Sequence, residues 1–489
     1  MLPSELSPAS AGPLPAPDRR AYGLLLALFL LSVLMCFITE GTYDSGDSIN
    51  HYLYARYAFT HPINFLESWS KPLVVELMAV PAQLGLRAVM VLQCVLVAAS
   101  AWLAYGAARS LRLPWPWLAI LFCYASPDFF RIQFSGLTEP TFAFVLMAGV
   151  ALVLQGRASL GAAVVSFLPF ARSEGFILLG VFVLCLALSK NWRALPWLGL
   201  GFVVYGVAGL FVYQDFLWVF TRNAYPTRNE SYGHGQWAHF ILSLPSTIGW
   251  VLYGLFWIGG LRMLWEWMKP AARLRPQQFT AELLLVYGSV VVFIGAHTIF
   301  WTFGIFGSFG LTRVLCCVVP LVSLIALRGV ATLAGLARTE QVRHRVRVVL
   351  TAGVIVFLAS GARAALRWER DFGRASDQIL ADEAARWALS QGRPPHVVFQ
   401  HPYFALPLQV DPFGPQHSLM SAVHEKSWPL PVGTLVLWDE WYAVLEGKVP
   451  LEVLRQDPQY RLRWQRAMPR NRRKPTADSV RIAIFEKIR

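Results

Sequence analysis

The sequence contains few charged residues for its length. Of its 489 residues, 15% are Asp, Glu, Lys or Arg, whereas soluble domains contain about 25%. Hydrophobic residues make up 55% of the chain, and the mean hydropathy is +0.46. This composition excludes an ordinary soluble enzyme. Apolar runs of about 20 residues, enough to cross the hydrocarbon core of a bilayer, recur along the chain, and they predict a polytopic membrane protein.

Cysteine and acidic residues are also scarce. All six cysteines lie within apolar runs, which argues against a disulfide framework and against a cysteine metal site. The 29 acidic residues are outnumbered by 43 Lys and Arg residues, for a net charge of +14. A soluble protein with this balance would suggest a nucleic-acid partner. Here most basic residues lie in short connectors or in the C-terminal tail, where they indicate membrane topology instead.

The apolar runs predict about eleven transmembrane helices. The first, from Ala21 to about Thr39, follows Arg19 and Arg20 and is typical of an uncleaved signal anchor. Residues 1–20 are predicted to be a disordered cytoplasmic N-terminus. Three of the other runs are too short to cross at full thickness unless they are tilted, broken or sheltered. The ten further runs lie near residues 83–108, 114–127, 139–155, 159–171, 175–189, 196–213, 245–266, 281–302, 310–336 and 348–366.

Basic residues mark alternate connectors, on the side of the N-terminus. They are Arg109 and Arg112, Arg157, Lys190 and Arg193, Lys269 with Arg273 and Arg275, and Arg338, Arg343, Arg345 and Arg347. Because Lys and Arg are retained in the cytoplasm, an odd number of spans places the C-terminus outside. The basic stretch 470–474 and the absence of a disulfide framework favour a bacterial inner membrane with a periplasmic C-terminal domain.

The hydropathy falls after residue 370, and residues 371–489 are predicted to form a small α/β extracytoplasmic domain. Strand patterns occur at 397–399, 434–438 and 481–485, and helical patterns occur near 375–390 and 450–457. The predicted fold class is therefore an all-α membrane domain over residues 21–370, followed by this α/β domain. An outer loop at residues 40–82 carries the first group of candidate site residues.

Acidic and aromatic residues gather in this first outer loop. Asp47 opens a predicted interfacial helix and can serve as its N-cap, while Asp44 lies three residues before it. Helical spacing places His51 and Tyr54 on roughly the same face as Asp47. A carboxylate at the headgroup level can act as a general base on a hydroxyl group. A transporter would more often place polar groups near the bilayer midplane, and the sequence shows neither an internal repeat nor a midspan charge.

Other outer connectors contribute cations and further acids. Lys71 is either an interfacial anchor or a fixed cation for a phosphate, and Arg313, at the outer end of a late span, has the same two interpretations. Glu139 either caps the span that it opens or faces a substrate. Arg172 and Glu174 lie at the junction of two short spans, where an ion pair between them is compatible with a substrate role.

A long outer connector, residues 215–239, mixes aromatic and hydrogen-bonding side chains. Arg222 and His234 are its candidates for binding a sugar or a lipid headgroup, although Trp and Tyr also gather at any membrane interface. Two histidines five residues apart are weak evidence for a metal. The sequence predicts no metal among the site residues.

The motifs, taken in order, resemble those of the GT-C fold, a fold of polytopic membrane glycosyltransferases that includes mannosyltransferases dependent on dolichyl phosphate or polyprenyl phosphate sugars. The resemblance covers about residues 20–370. Its elements are Gly46-Asp47 followed by Tyr54-Ala55-Arg56, then Lys71-Pro72, Thr138-Glu139-Pro140, Arg172-Ser173-Glu174, and Arg313. The family pattern often has two adjacent acids at the first motif, whereas here Ser48 follows Asp47.

The resemblance implies transfer of a hexose, with mannose as the default, from a polyprenyl-phosphate carrier to a lipid, glycan or protein acceptor outside the cytoplasm, with inversion. Asp47, or alternatively Asp44, would be the general base. The resemblance further implies phosphate binding by Lys71, Arg313 and Arg172. It implies a substrate pocket that includes His51, Tyr54, Glu139, Glu174, Arg222 and His234.

Three alternatives remain open from the sequence. Two fixed cations remove the need for a metal cofactor, but oligosaccharide-transferring members of the wider fold use a divalent ion, which Asp44 and Asp47 would then bind. A transporter or flippase of a lipid-linked glycan would bind the same phosphate without needing a base. A non-catalytic scaffold is the third hypothesis.

Overall fold

The computed structural model describes residues 18–222, 232–268, 276–336, 340–365, 372–425, 430–472 and 478–489. The N-terminal segment predicted to be disordered therefore lies almost entirely outside the described residues. The predicted basic connector that contains Lys269, Arg273 and Arg275 lies outside them as well.

Helices make up most of the chain before residue 366, because its long apolar runs satisfy their backbone hydrogen bonds internally. The α-helices are Arg19–Ile38, Asp47–Arg56, Pro72–Gln83, Leu86–Ser110, Leu118–Tyr124, Pro127–Ile132, Glu139–Leu154, Ala158–Val165, Leu168–Ala171, Gly175–Leu188, Leu200–Tyr213, Trp218–Thr221, His239–Ile248, Trp250–Trp267, Pro276–Ala281, Ser289–Phe303, Val319–Gly335 and Glu340–Ala365. Pro62–Leu66, Trp192–Gly199 and Thr312–Val318 are 3₁₀ turns, and Glu282–Gly288 is a π-helical segment.

Five of these helical segments are long and apolar enough to cross a bilayer. They are Arg19–Ile38, Leu86–Ser110, Trp192–Tyr213, Phe279–Phe303 and Thr312–Gly335, and shorter apolar helices pack among them. The chain is therefore an integral membrane protein with several spans. The structure does not confirm the predicted count of about eleven. One predicted span, 114–127, is broken into two short helices, Leu118–Tyr124 and Pro127–Ile132.

The segment Thr312–Gly335 lies at the centre of the bundle, whereas Arg19–Ile38 lies at its periphery. The central segment packs closely against helix Trp250–Trp267. A Cβ atom added at Gly259 would lie 2.0 Å from the carbonyl oxygen of Ile325, and one added at Gly329 would lie 2.2 Å from that of Leu255. Glycine is therefore required at this crossing, as at many helix contacts inside membranes.

The sequence predicted no midspan charge, but one ion pair lies within the limits of two predicted spans, 281–302 and 310–336. Arg328 lies within helix Val319–Gly335 and pairs with Glu282, its Nε atom 3.1 Å from Glu282 Oε1. Glu282 is buried at the start of the π-helical segment. A charge inside the bilayer is tolerated when it faces the bundle interior and meets its opposite, and this pair satisfies both conditions.

The C-terminal part contains a five-stranded mixed sheet. Its strands are β1 Val397–Phe399, β2 His417–Ser418, β3 Leu435–Asp439, β4 Tyr460–Pro469 and β5 Ser479–Lys487. Their order across the sheet is β2-β1-β3-β5-β4. β1 is parallel to β2 and β3, while β5 is antiparallel to β3 and β4. The accompanying helices are Ser376–Ser390, Ala405–Leu408, Tyr442–Leu445 and Leu451–Gln456, with 3₁₀ turns at Pro402–Phe404 and Met420–His424.

This sheet confirms the predicted mixed α/β character of the C-terminal part. The three predicted strands correspond to β1, β3 and β5, and the two predicted helices correspond to Ser376–Ser390 and Leu451–Gln456. Strand β4 was not predicted, because it is an exposed edge strand with several arginines and little apolar alternation. Charged residues on an edge strand oppose pairing with another chain.

Candidate active site

Near its start, the first outer loop forms a turn in which the Asp44 side chain accepts the hydrogen bonds. Its Oδ1 atom accepts from the backbone N–H groups of Gly46, at 2.9 Å, and Ser48, at 3.3 Å. Helix Asp47–Arg56 therefore begins with Asp47 in its first turn and Gly46 as the N-cap residue. The prediction that Asp47 is the N-cap was wrong, because Asp44 already serves the free N–H groups and leaves the Asp47 carboxylate available for other contacts.

Arg313 brings both aspartates into contact with a third acid. Its Nη1 atom lies 2.7 Å from Asp44 Oδ2, its Nη2 atom pairs with Asp47, and its Nε atom lies 3.4 Å from Glu139 Oε1. The guanidinium is buried and comes from the 3₁₀ turn that opens the central segment of the bundle. Residues more than 260 positions apart in the sequence thus meet around one fixed cation.

Arg172 forms a second centre, which shares Glu139 with the first. Its Nη1 atom donates to Glu139 Oε1 at 3.0 Å and to Thr138 Oγ1 at 2.8 Å, while its Nη2 atom donates to Glu174 Oε1 at 2.9 Å. The ion pair predicted between Arg172 and Glu174 is present. Because Glu139 contacts both arginines, the two centres form one continuous network, here called the charged cluster: Asp44, Asp47, Glu139, Arg172, Glu174 and Arg313.

Lys71 lies beside the charged cluster, directly before helix Pro72–Gln83. Its ammonium group donates to Ser68 O at 2.6 Å and to Ser173 Oγ at 2.9 Å. Burial and the positive charge of Arg172 lower the pKa of Lys71 to about 8, although Glu174 opposes the shift. The Lys71 backbone has a φ of 69°, a strained conformation that occurs most often at functional sites.

Aromatic side chains of helix Asp47–Arg56 lie next to this lysine. His51 stacks on Trp69 with ring centroids 4.7 Å apart, and Tyr54 lies 6.1 Å from the same ring. The predicted common face of His51 and Tyr54 is therefore present. Burial, together with the positive charges of Arg313 and Arg172, lowers the pKa of His51 to about 3, so this histidine is neutral at physiological pH.

The two candidates from the long connector lie elsewhere. Arg222 is exposed, with its guanidinium 4.6 Å from the centre of the Tyr213 ring. His234 is exposed as well. In the part of the connector that the structure describes, neither side chain has a hydrogen bond or an ion pair to the charged cluster. Their part in substrate binding stays a prediction.

Metal binding at the two aspartates would have to compete with Arg313, which already contacts both carboxylates. Across the described ranges, no group of three or more His, Cys, Asp and Glu side chains is arranged to hold a metal ion. A hard divalent cation needs about six oxygen ligands, and the three carboxylates that contact Arg313 are already paired with its guanidinium.

Two contacts at the site were not predicted, one with the charged cluster and one with the first outer loop. His297 Nε2 lies 3.3 Å from Glu174 Oε1, and the signal for it was a single histidine within an apolar span, where polar residues are rare and usually functional. The C-terminal part also reaches the first outer loop, where Ser45 donates to Asp377. No sequence signal links two residues 332 positions apart.

Comparison with known proteins finds similarity in structure but not in sequence. No protein-family model matches the chain, and no curated protein sequence matches it. ArnT from Cupriavidus metallidurans, solved bound to undecaprenyl phosphate, superposes with a TM-score of 0.58 at 13% identity over 95% of this chain and 97% of ArnT. Its apo state gives a TM-score of 0.56 at 13% identity over 95% and 98%. The chain therefore has the GT-C fold, as its motifs predicted.

Proposed function

We propose that the protein is a membrane glycosyltransferase that moves a hexose from a polyprenyl-phosphate carrier to an acceptor on the extracytoplasmic face, with inversion. The observation that carries this proposal is the contact of Arg313 with Asp44, Asp47 and Glu139, at a point where the fold gathers acids and cations from distant segments. The fold supports the proposal, because ArnT, which shares it, was solved with undecaprenyl phosphate bound.

Asp47 is the better candidate for the general base. Its side chain is 40% exposed, against 28% for Asp44, and Asp44 also serves two backbone N–H groups. Loss of hydration raises the pKa of Asp47, Arg313 opposes the rise, and the nearby charge of Asp44 adds to it. A raised pKa makes the ionised carboxylate a stronger proton acceptor.

In the proposed reaction, Asp47 accepts the proton of the acceptor hydroxyl while the hydroxyl oxygen attacks the anomeric carbon of the donor. The bond between that carbon and the phosphate oxygen breaks, and the carrier phosphate leaves with the electron pair. Lys71 is placed to neutralise the developing charge, because its ammonium group lies 2.9 Å from Ser173 Oγ, between Arg172 and Glu174 in the sequence and so next to the charged cluster. Arg313 and Arg172 add positive potential, and Glu139 and Glu174 orient them.

The direct test is sugar transfer by the purified protein in detergent. Radiolabelled polyprenyl-phosphate hexoses, with mannose first because of the resemblance, are incubated with membrane extract as the acceptor, with and without EDTA. Asp47→Asn is compared with wild type and with Glu452→Gln, an exposed acid of the C-terminal part. We expect Asp47→Asn to lower transfer by about 10² to 10⁴, and Glu452→Gln to leave it unchanged.

Other outcomes would overturn parts of the proposal. Transfer that is lost in EDTA would assign the two aspartates to a metal ion rather than to Arg313. Equal transfer by wild type and Asp47→Asn would remove Asp47 as the base. If no hexose is transferred but the labelled carrier crosses the bilayer of reconstituted vesicles, the protein is a flippase.

A further inference from the structure

The C-terminal part holds the segment Glu40–Gly46, here called the acidic loop, which joins the first span to helix Asp47–Arg56. The backbone N–H groups of Glu40 and Gly41 both donate to the carbonyl oxygen of Phe372, each at 2.8 Å. The amide of Gln378 donates to Thr42 Oγ1 at 2.8 Å. The first half of the acidic loop is thus fixed by hydrogen bonds from outside the membrane bundle.

The second half of the acidic loop is held by two side chains, the partly exposed Asp377 and the buried His401. Ser45 Oγ donates to Asp377 Oδ2 at 2.5 Å, and His401 Nε2 lies 3.2 Å from the same oxygen. His401 is 1% exposed. Its Nδ1 atom accepts from the backbone N–H of Tyr403, which leaves the Nε2 proton to be donated to Asp377.

The surroundings of this pair favour the ionised form of Asp377. Burial alone would raise the pKa of Asp377, but hydrogen bonds from His401 and Ser45 outweigh it and lower the pKa to about 2. Burial likewise opposes the charged form of His401, and the adjacent Asp377 carboxylate reverses that effect and raises the pKa of the imidazole. Asp377 therefore accepts hydrogen bonds from both neighbours throughout the physiological pH range.

Tyr442 covers the end of the acidic loop. A Cβ atom added at Gly46 would lie 1.9 Å from Tyr442 Oη, so the tyrosine rests directly on the backbone next to Asp47. The centroids of the His401 and Tyr442 rings are 4.7 Å apart. Asp439, the last residue of β3, accepts from the Tyr442 backbone N–H at 2.6 Å. The end of the sheet is therefore connected to the loop.

The acidic loop needs this external support. It contains no regular secondary structure, and Tyr43 has a φ of 64°, which is unfavourable for a bulky residue. Ser45 lies between Asp44 and Asp47 in the sequence. A displacement of the loop backbone at Ser45 therefore moves both carboxylates relative to Arg313. A displacement of about 1 Å at reacting groups can lower a rate about 10²-fold.

We propose that Asp377 and His401 are positioning residues of the transfer reaction, which act through Ser45 to hold Asp44 and Asp47 against Arg313. The inference rests on the proposed function, and it gives the C-terminal part a role in catalysis without contact with the reacting atoms.

The test compares Ser45→Ala, Asp377→Ala and the double variant in the full-length protein. Each single variant should lower kcat about 10- to 100-fold and leave the KM for the donor within about twofold. The double variant should be no slower than the slower single variant, because both remove the same contact. Losses that multiply, or a rise in donor KM with constant kcat, would overturn the proposal.

Two further variants separate positioning from general stability. Asp411→Asn removes the negative charge from another contact of the same interface, the 2.8 Å pair with His61, and should leave kcat within about twofold. His401→Gln keeps a donor near Asp377 and should retain more activity than His401→Phe. Equal losses in Asp411→Asn and Asp377→Ala, or in the two His401 variants, would show a merely structural role.

Hydrogen exchange distinguishes failure of this inference from failure of the proposed function. In Asp377→Ala the amides of Gly46 and Ser48 should exchange at least about tenfold faster than in wild type and in Asp411→Asn, because their acceptor, Asp44, loses its fixed position. Unchanged exchange would overturn the positioning role even if transfer falls. If wild type transfers no sugar, the proposed function fails, and faster exchange would still show that Asp377 holds the loop.

Discussion

Two pairs of carboxylates share the charged cluster but differ in exposure. Asp44 and Asp47 are 28% and 40% exposed, whereas Glu139 and Glu174 are 1% and 14% exposed. Both pairs contact an arginine, and Arg313 contacts members of both. The outer pair, Asp44 and Asp47, comes from an irregular loop and the first turn of an interfacial helix. The inner pair, Glu139 and Glu174, comes from the ends of helices inside the bundle.

The difference assigns different tasks to chemically similar groups. A proton acceptor must reach a substrate hydroxyl, which an exposed carboxylate can do and a buried one cannot. A buried carboxylate paired with arginine instead fixes the direction of the guanidinium and compensates its charge. The comparison therefore predicts that changes to the outer pair chiefly lower kcat. Changes to the inner pair and Arg172, together called the inner centre, should lower the free energy of unfolding and alter the positions of Arg172 and Arg313.

After Asp47→Asn, Arg313→Gln is the change expected to have the largest effect, because it removes the cation that joins the two pairs. Asp44 and Asp47 would then lose their cation, and Glu139 would keep only Arg172, which should lower the free energy of unfolding by about 3–5 kcal/mol. Transfer should fall by about 10² to 10³. The measurements are the thermal unfolding midpoint in a fixed detergent and kcat with a polyprenyl-phosphate hexose.

Arg313→Lys is the matched control for charge. Lysine keeps the positive charge, but a single ammonium group cannot reproduce the directed contacts with Asp44, Asp47 and Glu139. We expect stability between those of wild type and Arg313→Gln, with little recovery of kcat. Full recovery by lysine would mean that charge alone matters and that the geometry of the guanidinium does not.

Asp44→Asn should have the next largest effect and sharpens the comparison within the outer pair. Asparagine keeps an oxygen for the N–H groups of Gly46 and Ser48 but loses the charged contact with Arg313. A hydrogen bond between charged groups contributes about 1.5–3 kcal/mol, so kcat should fall about 10- to 100-fold. A loss equal to or larger than that of Asp47→Asn would transfer the role of base to Asp44.

The extent of the sequence prediction follows from the range of each interaction. Hydropathy and basic connectors placed Asp47, Glu139, Arg172 and Arg313 at one face of the membrane, because span length and charge act locally along the chain. They could not show that Arg313 contacts Asp44 and Asp47 directly. That contact depends on how the central segment packs in the bundle.

The errors have a common physical cause. Arg328 and Glu282 lie in different spans, and only their meeting in the bundle makes either charge tolerable, so one sequence window could not indicate the pair. The link from Ser45 to Asp377 likewise depends on docking of the C-terminal part onto the acidic loop. Strand β4 was not predicted, because it is an edge strand that pairs only with β5 and exposes most of its side chains.

Donor binding should depend on pH through Lys71, a cation that lies beside the inner pair. Lys71 has a pKa of about 8, so the free enzyme carries this charge below pH 8 and loses it above. Between pH 7 and pH 9 the kcat/KM for the donor should fall about tenfold, because kcat/KM reports groups of the free enzyme. The fall should be absent in Lys71→Arg, which remains charged; a fall of equal size in that variant would assign the pH dependence to another group.

The smallest expected effect is that of Thr138→Val, which changes only one neutral contact of the inner centre. Thr138 Oγ1 accepts from Arg172 Nη1 at 2.8 Å, and valine has nearly the same shape without the oxygen. Arg172 keeps both of its carboxylates, so the free energy of unfolding should fall by only about 1 kcal/mol and kcat should change less than in Asp44→Asn. Thermal unfolding beside the transfer assay measures both. A large loss of kcat at unchanged stability would break the comparison, because it would show that an inner position controls the rate as directly as the exposed aspartates do.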